Sequence, residues 1–366
     1  MRSYLLSRIL LFIPTLLVIA LISFVILLNS PGDPVERMMQ AGGTGEFVPG
    51  TLQEKQRSDL RHQLGLNLPV FYFDIHSVSE SGFGKYIPAV SIHLHNQFHR
   101  WMFGDGVNTK GIVRGDFGKS YLTQQPVSEL ISDRIGWSLF FTLTSIFLAY
   151  LISIPVGIKS ASKPNSTFDK TGTIILFILY SLPLFWVATL LLMTFANPDV
   201  LYLFPATGVK PVEGYPEGAG FFTRISLSLP HIILPTICYT YSSFTFLTRL
   251  MRNSMLEILG SDYIRTARAK GLSEKNVLWK HALKNSLFPI ITVFAHVFPA
   301  MIGGSVIIES IFTIPGMGNA IYSGITTQDY PLLIAVFTLT GFLTAIGYLV
   351  SDLLYAWVDP RISFSK

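Results

Sequence analysis

The residues in this chain that could do chemistry fall into a few short stretches, and most fail the test of spacing. RGDFGKS at 114–120 ends in the Gly-Lys-Ser that closes a phosphate-cradling loop. Such a loop needs another glycine five positions before its last one, and that position is Val113. The stretch reads instead as a turn leading into the apolar segment that follows. His93, His95 and His99 cluster in SIHLHNQFHR, and imidazoles suit zinc or nickel. No cysteine or carboxylate stands beside them to complete a ligand set, so a solvated loop is the expectation and no metal site is assigned. No HExxH run occurs, and the one cysteine, Cys238, excludes an internal disulfide and a cysteine-based zinc cluster. His231 and His296 lie in apolar runs, where ionisable residues are functional candidates, but a hydrogen bond to a neighbouring helix suits both. Glu309 and Asp352 fall near the ends of such runs and read as helix-end or interfacial groups, with the lining of a pathway as the lesser alternative. No catalytic residue is assigned.

What remains is charge. Residues 261–289, SDYIRTARAKGLSEKNVLWKHALKNSLFP, carry Arg265, Arg268, Lys270, Lys275, Lys280, His281 and Lys284, with Arg252 just ahead. Long apolar runs lie on both sides. Half of the 366 residues are hydrophobic, only 13% are charged, and the mean hydropathy is +0.48. Soluble domains carry about 25% charged residues, so the composition points to a membrane protein. Six segments, near 9–29, 136–158, 171–196, 229–251, 287–311 and 332–357, approach the roughly 20 apolar residues that a spanning helix needs. The fourth is the weakest, with two prolines and many hydroxyls, which neighbouring helices in a bundle can satisfy. The first is longer than a signal-peptide core and no A-x-A site follows, so it is expected to be retained. The expected fold is an all-α integral membrane protein with six transmembrane helices. Its parts are a first segment and helix (1–29), a large loop domain (30–135) and a five-helix core (136–366) that includes the basic loop 252–286.

Lysine and arginine in short loops set orientation. Loop 159–170 carries Lys159, Lys163 and Lys170; loop 252–286 carries the run above; loop 312–331 has neither residue type. Arg2, Arg8, Arg361 and Lys366 mark the two ends. These agree when both termini, 159–170 and 252–286 are cytoplasmic, which places 30–135 and 197–228 outside. Within 30–135, PGDP at 31–34 forms turns and 52–66 forms a helix.

The basic loop has more order than topology requires. Residues 255–270 favour a helix, Gly271 can supply a left-handed stop, and Ser273 can cap a second helix at 274–286. Val277, Leu278, His281 and Ala282 fall on one side of that helix, with Lys275, Lys280 and Lys284 elsewhere. A loop that only touched anionic lipid would need the charge but not the stop, the cap or the stripe. The pattern is that of a helical surface docking into a partner's groove.

The stretch resembles the EAA loop of ABC importer permeases, in their dipeptide/oligopeptide/nickel branch. The general signature is Glu-Ala-Ala, three residues, Gly, nine residues, then Ile-x-Leu-Pro. Gly271 matches the Gly; Arg265, Thr266 and Ala267 hold the first three positions and His281, Ala282, Leu283 and Lys284 the last four. The peptide branch reads RTARAKGL and WKHALKN, as at 265–272 and 279–285. The general Glu is absent, so no contact of that residue is carried over. The likeness extends to LLSRILLFIPTL and PGDP, RGDFGKSYLTQQPVSELISDRI (114–135), SLPLFW (181–186), LTRLMRNSMLEIL (247–259), SVIIESIFTIPGMG (305–318), DYPLL (329–333) and VSDLLYAWVDPRI (350–362). Residues 74–110 resemble an insertion relative to shorter members.

The resemblance implies one half of a heterodimeric pore in the bacterial cytoplasmic (inner) membrane. A second permease, two ATP-binding cassette ATPase subunits and an extracytoplasmic solute-binding protein would complete it, with membrane lipid around it and no nucleic acid. ATP and Mg would sit in the ATPases, no cofactor on this chain, and the cargo would be di- or oligopeptides or modified peptides. Arg265, Thr266, Ala267, Arg268, Lys270, Gly271 and Leu272 would lie on a coupling helix at 262–275. Thr292, Gly303, Gly304, Ser305, Thr338 and Thr344, with Thr340, offer a weakly charged path, although small residues also serve helix packing. An ion-coupled carrier would require buried acids or paired broken helices, which the sequence does not suggest. A receptor built on 30–135 would leave the helix–Gly–helix loop without a role.

Overall fold

Backbone groups in lipid must be satisfied within the chain, which forces apolar runs into helices. The computed structural model describes residues 2–28, 33–41, 50–77, 88–106 and 109–358. Its order is α1 (Arg2–Leu28), α2 (Pro34–Ala41), α3 (Gly50–Leu64), β1 (Phe73–Ser77), β2 (Pro88–Ile92), α4 (Gln97–Phe103), α5 (Val127–Ser162), α6 (Thr167–Ser181), α7 (Leu184–Phe195) and α8 (Phe221–Leu259). Then come α9 (Asp262–Ala269), α10 (Glu274–Asn276), a π-helical turn (Val277–Ala282), α11 (Leu283–Ser286), α12 (Phe288–Phe294), α13 (Val297–Gly303), α14 (Val306–Ile311), α15 (Met317–Thr327) and α16 (Tyr330–Val358).

The protein is mostly helical, as expected, but three of the expected spans have a different form. α5, α8, the 288–311 path and α16 are long and apolar enough to cross a membrane. The expected third span is the pair α6 and α7, bent by 97°. Leu182 is extended (φ −81, ψ 125), as a residue before proline prefers, and Pro183 starts α7 without an N–H to continue the ladder. The fifth is three short helices, broken at Gly304, whose φ of +57 lies outside the helical region. The fourth is the middle of the 39-residue α8, which accommodates Pro230 and Pro235. There the hydroxyls of Thr240, Thr245 and Thr248 donate to carbonyls four residues back. The described helices thus give four spans, or five with the bent pair as one, and α1 contributes a shorter apolar stretch at Leu10–Ile26.

Two compact units divide the chain. One takes in the described parts of Met1–Pro14, Arg134–Ala320 and Thr340–Lys366, the other Thr15–Asp133 and Ile321–Leu339. In the first, α5 and α8 cross at Gly157. A Cβ there would sit 2.7 Å from Met251 Cβ and 3.1 Å from the Arg252 amide, so only glycine allows this approach. Overpacking such a contact costs about 1–3 kcal/mol. Gly157→Val should therefore lower the thermal unfolding midpoint of the detergent-purified protein; an unchanged midpoint would show that this crossing does not hold the unit together.

The second unit departs from the all-helical expectation. β1 and β2 form an antiparallel pair running from Phe73 opposite Ile92 to Ser77 opposite Pro88. FDIHS alternates apolar and polar residues with the two-residue period of a strand. α3 covers most of the expected 52–66 helix. Asp33 of the PGDP run, whose first two residues lie outside the described set, accepts from Arg57 at 2.8 Å and from Arg61. Burial pushes its carboxyl up, but these bonds and the Val35 amide outweigh it and hold the carboxyl below its ordinary range. RGDFGKS is a turn, as read. The Asp116 carboxylate accepts from the Lys110 and Gly118 amides, and Gly118 has φ +79. It leads to Ser120, whose hydroxyl donates to Asp329, with the Tyr121 amide 3.0 Å from the same carboxylate. The RGDFGKSY and DYPLL runs thus meet across 209 positions. Burial is the main influence on Asp329 and pushes its carboxyl up. His99 Nδ1 contacts the Tyr72 hydroxyl at 2.8 Å, and among the described residues no three His, Cys, Asp or Glu are grouped to hold a metal. The 74–110 segment is described only in part.

Candidate functional site

Residues 252–286 build a sharp helical corner. α8 continues past the expected end of the fourth span to Leu259. Gly260, not foreseen as a break, closes it by donating to the carbonyls of Leu256 and Glu257. The expected single helix 255–270 is therefore the end of α8 plus α9. α9 ends in a two-bond stop: the Gly271 amide donates to Arg268 O at 2.9 Å, and the Leu272 amide to Ala267 O at 3.3 Å. Gly271 takes φ +78, where a side chain would be strained. The Ser273 hydroxyl accepts from the Asn276 amide at 3.4 Å and opens the next helix. Arg268 closes the corner with an ion pair to Glu274 at 2.8 Å.

The corner is held from below by apolar packing. Ile264, Ala267, Val277 and Ala282 are buried in one cluster with Met251, Met255 and Ile290. The π-helical turn places Val277 and Ala282, five apart, on the same face, because it adds a residue to the helical turn. It also corrects the expected stripe: Leu278 is half-buried and His281 is exposed. Ser254 donates to Ser286 O at 2.8 Å, and Asn285 donates to the Tyr263 hydroxyl at 2.8 Å. What faces outward is Arg265, Thr266, Arg268, Lys270, Gly271 and Leu272, with Tyr263 and Trp279. Of the seven coupling residues expected from sequence, only Ala267 is buried, on the face that docks to α8.

A second fixture was not foreseen. Asp169, beside the three lysines of loop 159–170, is 3% exposed and accepts a two-pronged bond from Arg252. Its oxygens also take the Ser160 hydroxyl and, at 2.9 Å, the Asn165 amide. One carboxylate thereby joins the end of α5, the 163–166 turn, the start of α6 and the base of α8.

The expected path residues are divided between the two units. Thr338 lies in one unit and Thr292, Gly303, Gly304, Ser305 and Thr344 in the other. Thr338 and Thr344 donate to their own helix, at Ile334 O and Thr340 O. Thr292 contacts Phe288 O and the Tyr355 hydroxyl. Gly303, Gly304 and Ser305 form the break in the fifth span, and Ser305 caps α14. His231 is buried and bonded to Thr207 O, and His296 packs on Tyr348.

Residues 153–364 match the family described as binding-protein-dependent transport system inner membrane component. Relatives align over the whole chain. The oligopeptide transport system permease protein AppB of Bacillus subtilis is 36% identical, with 100% of each chain covered. The inner membrane ABC transporter permease protein YejB of Escherichia coli O157:H7 is 35% identical over 100% of this chain and 99% of its own. The dipeptide transport system permease protein DppB of Alkalihalophilus pseudofirmus is 30% identical over 100% of both. The chain belongs to this family: it is a membrane-spanning ABC transporter permease, a transport component of the inner membrane.

Proposed function

We propose that the chain forms half of the pore of an ATP-driven importer of di-, oligo- or modified peptides, and that its 262–275 corner couples the pore to separate ATPases. Support for the cargo comes from relatives named for oligopeptide and dipeptide transport that align end to end. The observation that carries the coupling role is the corner itself: an exposed turn at Gly271 and Leu272, fixed by two backbone bonds, a cap and a buried core. A surface that must transmit force needs this rigidity, and rigid-body motion of helices is the means by which a docked partner moves a pore.

In this reading both termini, 159–170 and 252–286 face the cytoplasm, in line with their lysines and arginines. A second, homologous permease completes the pore, two ATPase copies bind below, and a solute-binding protein delivers peptide from outside. The chain itself hydrolyses nothing and holds no cofactor; ATP and Mg belong to the partners. Arg265, Arg268 and Lys270 form the polar edge of the docked surface, and Leu272 its apolar tip. Competition with a labelled tripeptide in proteoliposomes holding the whole assembly and its binding protein tests the cargo. Unlabelled di- and oligopeptides should suppress uptake and nickel ions should not. Suppression by nickel alone would overturn the peptide assignment.

A further inference from the structure

Glu309 was read from sequence as a helix-end group, yet it is fully buried. Its carboxylate accepts from the Ser138 hydroxyl at 3.0 Å, the Tyr239 hydroxyl at 3.3 Å, the Ser305 amide at 3.3 Å and the Asn319 amide at 2.8 Å. Ser138 in turn accepts from the Met317 amide at 2.8 Å. Gly304, Gly316 and Gly318 wall the group; a Cβ on Gly304 or Gly316 would overlap it. Tyr239 is itself fixed by stacking on Phe141 at 5.5 Å. One side chain therefore gathers α5, α8, the break before α14 and the turn that starts α15. Among the described residues its partners are all neutral.

A buried carboxylate without a cation is costly, and an apolar residue would pack the same space at lower cost. The arrangement suits a contact that must hold in one state and release in another, because a carboxylate held only by neutral donors parts from them more readily than from a buried cation. Resting on the permease reading and its orientation, we propose that Glu309 is the latch that keeps the outer end of the transport path closed. It is a positioning residue: it holds Gly303, Gly304 and Ser305 against α5 and α8, and opening of the path to the outside releases it.

The test uses the complete transporter in right-side-out vesicles, with Ala300→Cys as reporter and a membrane-impermeant maleimide. Ala300 is exposed on α13 and Cys238 is fully buried, so the native cysteine is the blank. Glu309→Gln places an amide N–H₂ against backbone N–H donors. Without nucleotide it should raise labelling roughly tenfold, the change expected for loss of one hydrogen bond to a charged group, and should lower uptake while ATP hydrolysis continues. Tyr239→Phe and Ser138→Ala each remove one donor and should give smaller rises, which keeps the test open if Glu309→Gln does not assemble. Labelling and uptake equal to the parent in the assembled variants would leave Glu309 a packing group and overturn the proposal. Labelling needs no cargo, so failure of the peptide assignment would appear separately, as a parent that takes up no peptide.

Discussion

Arg252→Met is expected to destabilise the purified protein by about 3–5 kcal/mol, the cost of leaving a buried charge without its partner. Asp169 is 3% exposed and Arg252 23%, so solvent screens the pair little. The double variant Arg252→Met with Asp169→Asn should recover most of the loss. The asparagine keeps one acceptor oxygen for the Asn165 amide, its N–H₂ can donate to the Ser160 hydroxyl oxygen, and it carries no charge. Thermal unfolding of the four proteins in one detergent measures the cycle. If the single variant is as stable as the parent, the pair is a surface contact and does not anchor the corner. If the double variant is worse than either single one, the pair's contribution is not the charge balance argued from its burial.

Gly271→Pro should abolish transport while leaving the chain in the membrane. Three features of the turn oppose proline. Its φ is near −65° where the native value is +78. It lacks the N–H that meets Arg268 O. It also drives the residue before it out of the helical region, and Lys270 sits at φ −77, ψ 4. The corner must therefore re-form with α9 and the next helix in a different relation. Gly271→Ala costs only about 1–2 kcal/mol for a left-handed residue, meets no atom within 4 Å, and should retain most uptake. Membrane abundance and peptide uptake of both variants give the answer. Normal uptake by the proline variant would mean that the shape of the corner is not what couples the pore.

The parts of this arrangement that local chemistry dictates were legible in the sequence. Gly271 as a stop and Ser273 as a cap follow from backbone freedom and a short hydroxyl side chain, and both stand where expected. The apolar runs were legible as helices for the same reason. What tertiary contact decides was not. Gly260 looks like any glycine tolerated within a helix. The bend at Pro183 lies inside a run whose composition is uniformly apolar, although the SLP tripeptide carried the signal. The roles of Asp169 and Glu309 depend on Arg252 and Ser138, 83 and 171 positions away, and no local pattern announces either. For Glu309, four glycines within nine residues of an acid in an apolar region, at 303, 304, 316 and 318, were the available hint. The β1–β2 pair was overlooked because the surrounding sequence is rich in turn formers.

The most direct measurement is to purify the tagged chain with its native neighbours in a mild detergent and identify the partners by intact mass, then repeat it with Leu272→Asp. Leu272 is 38% exposed at the tip of the corner, so the change leaves the fold's core intact and places a charge where an apolar contact is expected. A second permease and two ATPase copies should accompany the parent, and the variant should keep the permease and lose the ATPases. A chain that emerges alone in both preparations, or a variant that retains its ATPases in full, would contradict the role given to this corner.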